Sequence, residues 1–180
     1  LYYGGGGQGN HLPGAYGMTT ISALGGKYRS NALAQEKTGE GWVAASMFGA
    51  YARTGDFEDC EVAVFIGKNP WQSHGVQRSR VVLREIAKDP ARCLVVFDPR
   101  NSETAEIADF HIRVRPGTDA WALAALVATI IQNNAHKKEW IEKHVSGFEQ
   151  LTPFFTALDV EDYCNHAGID KTQIEALAER

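Results

Sequence analysis

The sequence has little of what marks several common protein classes. Its three cysteines, Cys60, Cys93 and Cys164, lie far apart and form no CxxC pair. That argues against a structural zinc or an iron–sulfur cluster carried by this chain alone, and a reducing compartment is the default. No apolar run reaches the roughly 18 residues of a membrane span, and no basic stretch leads into an apolar one as in a signal peptide. We therefore expect no direct membrane insertion and a cytoplasmic location, or a periplasmic one if a preceding segment carries a signal. Neither sign of charge dominates: 18 Lys and Arg stand against 22 Asp and Glu, a formal net charge of −4. Such a balance gives no electrostatic reason to bind nucleic acid or an anionic membrane. The phosphate-loop pattern GxxxxGKS/T, the dinucleotide fingerprint GxGxxG, the HExxH zinc motif and a serine nucleophile elbow are all missing.

What is present is an ordinary globular composition over 180 residues, 44% hydrophobic, 10% aromatic and 22% charged. A chain of that kind buries a core without disulfide or zinc staples and is neither collagen-like nor wholly disordered. It opens at Leu1 without an initiator Met and closes at Glu179-Arg180 inside a helical pattern, so we expect a piece of a longer polypeptide.

Strand and helix patterns alternate along it. Tyr2-Tyr3 runs into the glycines Gly4 to Gly7, a strand end entering a tight loop; residues 14–24 and 42–53 read as helices, the second with Val43, Met47 and Ala50 on one face. Residues 61–66 form a continuous apolar run, the pattern of a strand covered on both faces. A helix over 75–88 buries Val82, Leu83 and Ile86 and turns Arg78, Arg84 and Lys88 outward, where with Arg80 they read as a solvated face. Strands at 93–97 and 111–115 follow, with a short helix near 102–107 between them. Thr118 can cap a helix to about Asn133, with Leu123, Leu126, Val127 and Ile130 at the spacing of one buried face. From 137 onward three or four short helices are separated near Gly147, Pro153 and Gly168. The expected fold is α/β: a Rossmann-like, doubly wound and mostly parallel sheet with helices on both faces, then a helical C-terminal segment. The expected domains are residues 1–136 and 137–180.

In such a sheet, ligands bind beyond the carboxyl ends of the strands, against helix N-termini. Four segments converge there. Gly4 to Gly9, ending in Asn10-His11, is either a backbone cradle for phosphate or a flexible loop. Gly67-Lys-Asn-Pro-Trp-Gln-Ser73 follows a strand directly, the place for a diphosphate, or is a plain connection. Asp98-Pro-Arg100 ends the next strand: its carboxylate can accept both hydrogens of a ribose diol, or can cap a turn while Arg100 makes a surface ion pair. Arg115-Pro-Gly-Thr-Asp119 offers a carboxylate for the paired N–H donors of a guanine edge, or only a helix start.

Gly67-Lys-Asn-Pro, Asp98-Pro-Arg-Asn-Ser-Glu-Thr-Ala-Glu-Ile-Ala-Asp109 and Arg115-Pro-Gly-Thr-Asp-Ala-Trp-Ala-Leu123 together resemble the molybdopterin oxidoreductase family, the dimethyl sulfoxide reductase superfamily. The resemblance covers about residues 1–133. It implies molybdenum or tungsten on two molybdopterin guanine dinucleotides, and oxygen-atom transfer or dehydrogenation with electron transfer. Motif by motif, Gly67, Asn69 and Ser73 would line the diphosphate, Asp98, Arg100 and Ser102 its ribose and phosphate side, and Gly117, Thr118 and Asp119 its guanosine end. The family's metal-ligand loop is similar to Asn31-Ala-Leu-Ala-Gln35-Glu36-Lys37-Thr38, which sets Gln35 where a Cys, selenocysteine or Ser is usual, with Glu36 as an alternative oxygen. The resemblance also implies an iron–sulfur motif in a preceding segment, the remainder of the polypeptide as partner, and an electron-transfer subunit or redox carrier. The alternative is a scaffold of the same fold in an electron-transfer complex, without a metal cofactor.

Overall fold

The computed structural model describes residues 2–3, 11–30, 37–49, 55–73 and 76–180. It separates into two units, Leu1–Thr54 and Gly55–Arg180. In the first, β1 (Tyr2–Tyr3) pairs in parallel with β2 (Arg29–Ser30), and α1 (His11–Ala23) connects the two in sequence. A second helix, α2 (Thr38–Phe48), starts four residues before its expected position and stops at Gly49. Gly49 takes φ +68°, and its N–H bonds the Ala45 carbonyl at 3.0 Å, a left-handed stop that glycine adopts without penalty. The apolar face expected on this helix is not buried: Val43 and Met47 are exposed, and Ala50 lies outside the described residues.

The second unit carries β3 (Val62–Ile66), α3 (Ser79–Lys88), β4 (Cys93–Phe97), a 3-10 turn (Ala105–Ile107), β5 (Phe110–Ile112) and α4 (Asp119–Gln132). Four shorter helices follow: α5 (Lys138–His144), α6 (Phe148–Ala157), α7 (Val160–Ala167) and α8 (Lys171–Ala178). The sheet order is β3-β4-β5, all parallel, with Val62 opposite Cys93 and Val95 opposite Phe110. Alternation along β4 builds two cores. Leu94 and Val96, with Ala63 and Phe65, meet Val82, Leu83 and Ile86 of α3. Cys93, Val95 and Phe97 point the other way and meet α4, α7 and α8 through Ala122, Ala125, Cys164, Ala167, Ile174 and Leu177. The helical segment after residue 157 thus completes the core of this sheet, whereas α5 and α6 bury no residue fully.

Four expectations change. Strand β3 is covered on one face only: Ala63 and Phe65 are buried, while Val64 and Ile66 stay about two-fifths exposed. Strand β5 is shorter than 111–115, because the Arg115 N–H turns from the sheet to the Ala167 carbonyl of α7. Helix α4 fully buries Ala122, Ala125, Ala128, Thr129 and Ile131, and none of the four larger residues expected on its buried face. Alanines let the helix axis come close to its neighbours, which leaves Leu123, Leu126 and Ile130 half-buried on the flanks and Val127 exposed. Pro153 lies inside α6 and does not break it; there, the Thr152 hydroxyl donates to the Phe148 carbonyl at 2.8 Å. Gly147 and Gly168 do sit at breaks, with φ +82° and +72°.

Candidate functional site at the carboxyl edge of the sheet

Parallel strands bring three loops to one edge. The ladder runs one residue past each strand: the Gly67 N–H donates to Phe97 O at 2.8 Å, and the Asp98 N–H to Ile112 O at 3.2 Å. Residues 67–73, 98–104 and 113–118 therefore leave the sheet side by side. Two of these loops need glycine for its conformation. Gly67 has φ +58° and Gly117 φ +84°, and a Cβ built at either would meet nothing within 4 Å. Neither position lacks room, so the requirement is the left-handed backbone, and both peptides are open to an approaching ligand.

The 67–73 loop is tied to the next loop through its polar side chains. Asn69 Nδ2 donates to Glu103 Oε2 at 2.7 Å, and Asn69 Oδ1 accepts from the Thr104 hydroxyl at 2.6 Å. The Thr104 oxygen in turn accepts the Trp71 N–H at 3.1 Å, and Glu103 Oε1 accepts Gln72 Nε2 at 2.9 Å. Ser73 donates its hydroxyl to the Asn69 carbonyl at 2.9 Å. Glu103's own backbone N–H, then Gln72 and Asn69, hold its carboxyl below the ordinary glutamate range. The arginines read as a solvated face are partly otherwise engaged. Arg84 and Arg80 lie over the Trp71 ring at 4.7 and 5.7 Å from its centroid, and Arg80 Nε donates to Trp71 O at 2.9 Å. A guanidinium is drawn to the electron-rich face of an indole, which a count of charges along a helix does not reveal. Arg78 does pair on the surface, with Glu58 and Glu85.

In the second loop, Asp98 Oδ1 accepts the Arg100 N–H at 2.8 Å, and Oδ2 has no partner among the described residues. His111 Nε2 donates to the Asp98 carbonyl at 2.9 Å, which fixes the proton on that nitrogen. Arg100 is largely exposed and stands 3.9 Å from Glu103. Ser102 is buried, and its Oγ accepts the Ala105 N–H at 3.4 Å, so its side chain braces the 3-10 turn.

In the third, the Thr118 hydroxyl donates back to Arg115 O at 2.6 Å and makes no cap bond to α4, contrary to the expected N-cap. Asp119, half-buried, opens the helix with no side-chain partner among the described residues. The far side of this turn rests on α7: Arg115 Nη1 donates to His166 O at 2.8 Å, and Trp121 lies 4.0 Å from the His166 ring.

Gly67, Asp98, Arg100 and Gly117 thus belong to loops on one edge, with Asp119 at the helix start that follows, while the polar groups of Asn69, Ser73, Ser102 and Thr118 are engaged within the protein. Sequence reasoning passed over Glu103 and Thr104, although both stand inside the second motif; their partners lie 31–35 residues away. The Gly4 to Gly9 loop, Gln35 and Glu36 lie outside the described residues, and no group of three or more His, Cys, Asp or Glu among the described residues could hold a metal ion.

Comparison with known proteins agrees with this architecture. The chain is 32% identical over 133 residues to the F420-dependent formate dehydrogenase subunit alpha of Methanocaldococcus jannaschii, covering 72% of this chain and 19% of that one. It is 32% identical over 94 residues to the assimilatory nitrate reductase catalytic subunit of Bacillus subtilis, covering 52% and 13%. Acetylene hydratase from Pelobacter acetylenicus superposes with a TM-score of 0.72 at 26% identity, over 88% of this chain and 22% of that one. The chain spans about a fifth or less of the length of these relatives. The profile of the family described as molybdopterin oxidoreductase matches residues 9–171, and the chain belongs to that family.

Proposed function

We propose that the carboxyl edge of the β3-β4-β5 sheet holds one guanine dinucleotide arm of a molybdenum- or tungsten-bis(molybdopterin guanine dinucleotide) cofactor in a larger oxidoreductase. The observation that carries this reading is the shared edge, where two left-handed glycines with open space beside them alternate with the carboxylates Asp98 and Asp119. These residues fit such a group. Open backbone at Gly67 and Gly117 suits a diphosphate and a nucleoside, Asp98 Oδ2 is available to ribose hydroxyls, and Arg100 brings the positive charge that phosphate requires. A carboxylate at Asp119 accepts two adjacent N–H donors, the pattern of a guanine edge and not of adenine. Asn69, Ser73, Ser102 and Thr118 shape the walls through bonds inside and between the loops.

When bound, the group supplies a metal that exchanges electrons during oxygen-atom transfer or dehydrogenation. This chain's residues bind and orient the nucleotide end of the group. Two relatives are named as subunits, one of a formate dehydrogenase and one of a nitrate reductase, which supports an electron-transfer partner for the whole protein.

Acid release of nucleotide from the intact protein, together with elemental analysis, tests the reading. GMP with molybdenum or tungsten in the same preparation is the expected result. A pterin lacking nucleotide, or a protein lacking both metals, would overturn it.

A further inference from the structure

We propose that Glu103 and Thr104 form a latch that sets the 67–73 loop through Asn69, and that retention of the guanine dinucleotide depends on it. This inference rests on the preceding reading of the edge as a dinucleotide site.

The side chains of Asn69, Gln72 and Ser73 and the Trp71 N–H are tied to the neighbouring loop or to Asn69 itself. The Asn69 amide is held at both ends, by Glu103 Oε2 at 2.7 Å and by the Thr104 hydroxyl at 2.6 Å. Its carbonyl accepts Gln72 N at 3.1 Å, Ser73 N at 2.9 Å and the Ser73 hydroxyl at 2.9 Å, which folds the segment into a compact turn. Glu103 Oε1 secures Gln72, and the fully buried Thr104 oxygen secures the Trp71 N–H. The loop begins at Gly67, a permissive residue that by itself does not fix the direction in which the turn leaves the strand. Bonds from residues 103 and 104 hold it in one conformation before a ligand arrives, so the ordering entropy is not charged to binding.

The latch also accounts for an acidic side chain beside a site proposed for a diphosphate. Both Glu103 oxygens already accept amide donors, and Arg100 stands 3.9 Å away. The carboxylate is needed for its two acceptors: a neutral amide at 103 would present one acceptor and one N–H group, and that N–H group would face the amide of Asn69. In this arrangement Glu103, Thr104 and Asn69 are positioning residues, and Asn69 acts through the loop without touching the dinucleotide.

Two readouts on the full-length protein test this: GMP released per polypeptide after loading with limiting cofactor, and amide hydrogen exchange across residues 67–73. E103A, E103Q and T104V are expected to retain the dinucleotide roughly tenfold less well and to exchange faster there, and T104S to behave as wild type. The double variant N69D/E103Q reverses the donor and acceptor of the pair and leaves an acceptor for Thr104, so it is expected to recover both readouts. Wild-type GMP content in E103A and T104V overturns the latch. Failure of the double variant to recover overturns the positioning role, because a carboxylate at 69 that repels the ligand means direct contact. If the wild type itself holds no GMP, the dinucleotide reading fails separately. Equal exchange of 67–73 in wild type and E103A overturns the latch whatever the protein holds.

Discussion

Replacing Asp119 by Asn separates a ligand contact from a helix-start residue. The side chain is half-buried and makes no hydrogen bond or ion pair among the described residues. The folded chain therefore loses only the favourable interaction of a negative charge with the first turn of α4, about 0.3–1 kcal/mol. The proposed site loses more. An amide offers one acceptor and one mismatched donor to a guanine edge that presents two donors, so at least one charged hydrogen bond disappears, worth about 1.5–3 kcal/mol. That corresponds to a dinucleotide affinity roughly ten- to more than a hundredfold weaker. Occupancy measured as released GMP under limiting cofactor should fall by that factor, while the melting temperature of the cofactor-free protein shifts by a few degrees at most. Unchanged occupancy would show that Asp119 merely starts the helix.

Other perturbations follow from the same geometry. Gly117→Ala should destabilise the protein by about 1–2 kcal/mol, because φ +84° strains an L residue although its Cβ has room, and Gly117→Asn by less; thermal melting checks the order. Thiol labelling at neutral pH should reach the half-buried Cys60 first, since burial raises the thiol pKa of Cys93 and Cys164 and lowers their thiolate fraction; prompt labelling of either would contradict the packing. Glu103 is held below its ordinary range chiefly by backbone and amide donors, so its contribution to stability is present above that range and lost as pH falls below it. In a melting series through the acid range, Glu103→Gln should flatten that part of the profile, and an unaltered profile would remove Glu103 from the network.

Strand β4 was legible to the residue: five consecutive apolar side chains between polar turns are the pattern of a strand buried on both faces, and all five are buried. The same pattern over 61–66 misled, since β3 stands at the edge of the sheet and α4, α7 and α8 pack over β4 and β5 instead. Reading α4 from its largest residues was right in part: Leu123 and Leu126 pack against the core from the flanks, whereas the fully buried centre of the face is mostly alanine and Val127 is exposed. The three loops were found because strand ends in a parallel sheet must share an edge. The roles within them were less legible. Asn69, Ser102 and Thr118 have the polarity of ligand contacts, yet the groups that engage them come from distant positions or from a turn whose direction only the fold sets.

The most direct test is an experimental structure of the intact protein with its cofactor bound. The account predicts a guanine within hydrogen-bonding distance of the Asp119 carboxylate, a ribose at Asp98 and a diphosphate along the backbone after Gly67, with Asn69 still bonded to Glu103 and Thr104. A dinucleotide bound elsewhere, with this edge of the sheet covered by protein, would contradict it.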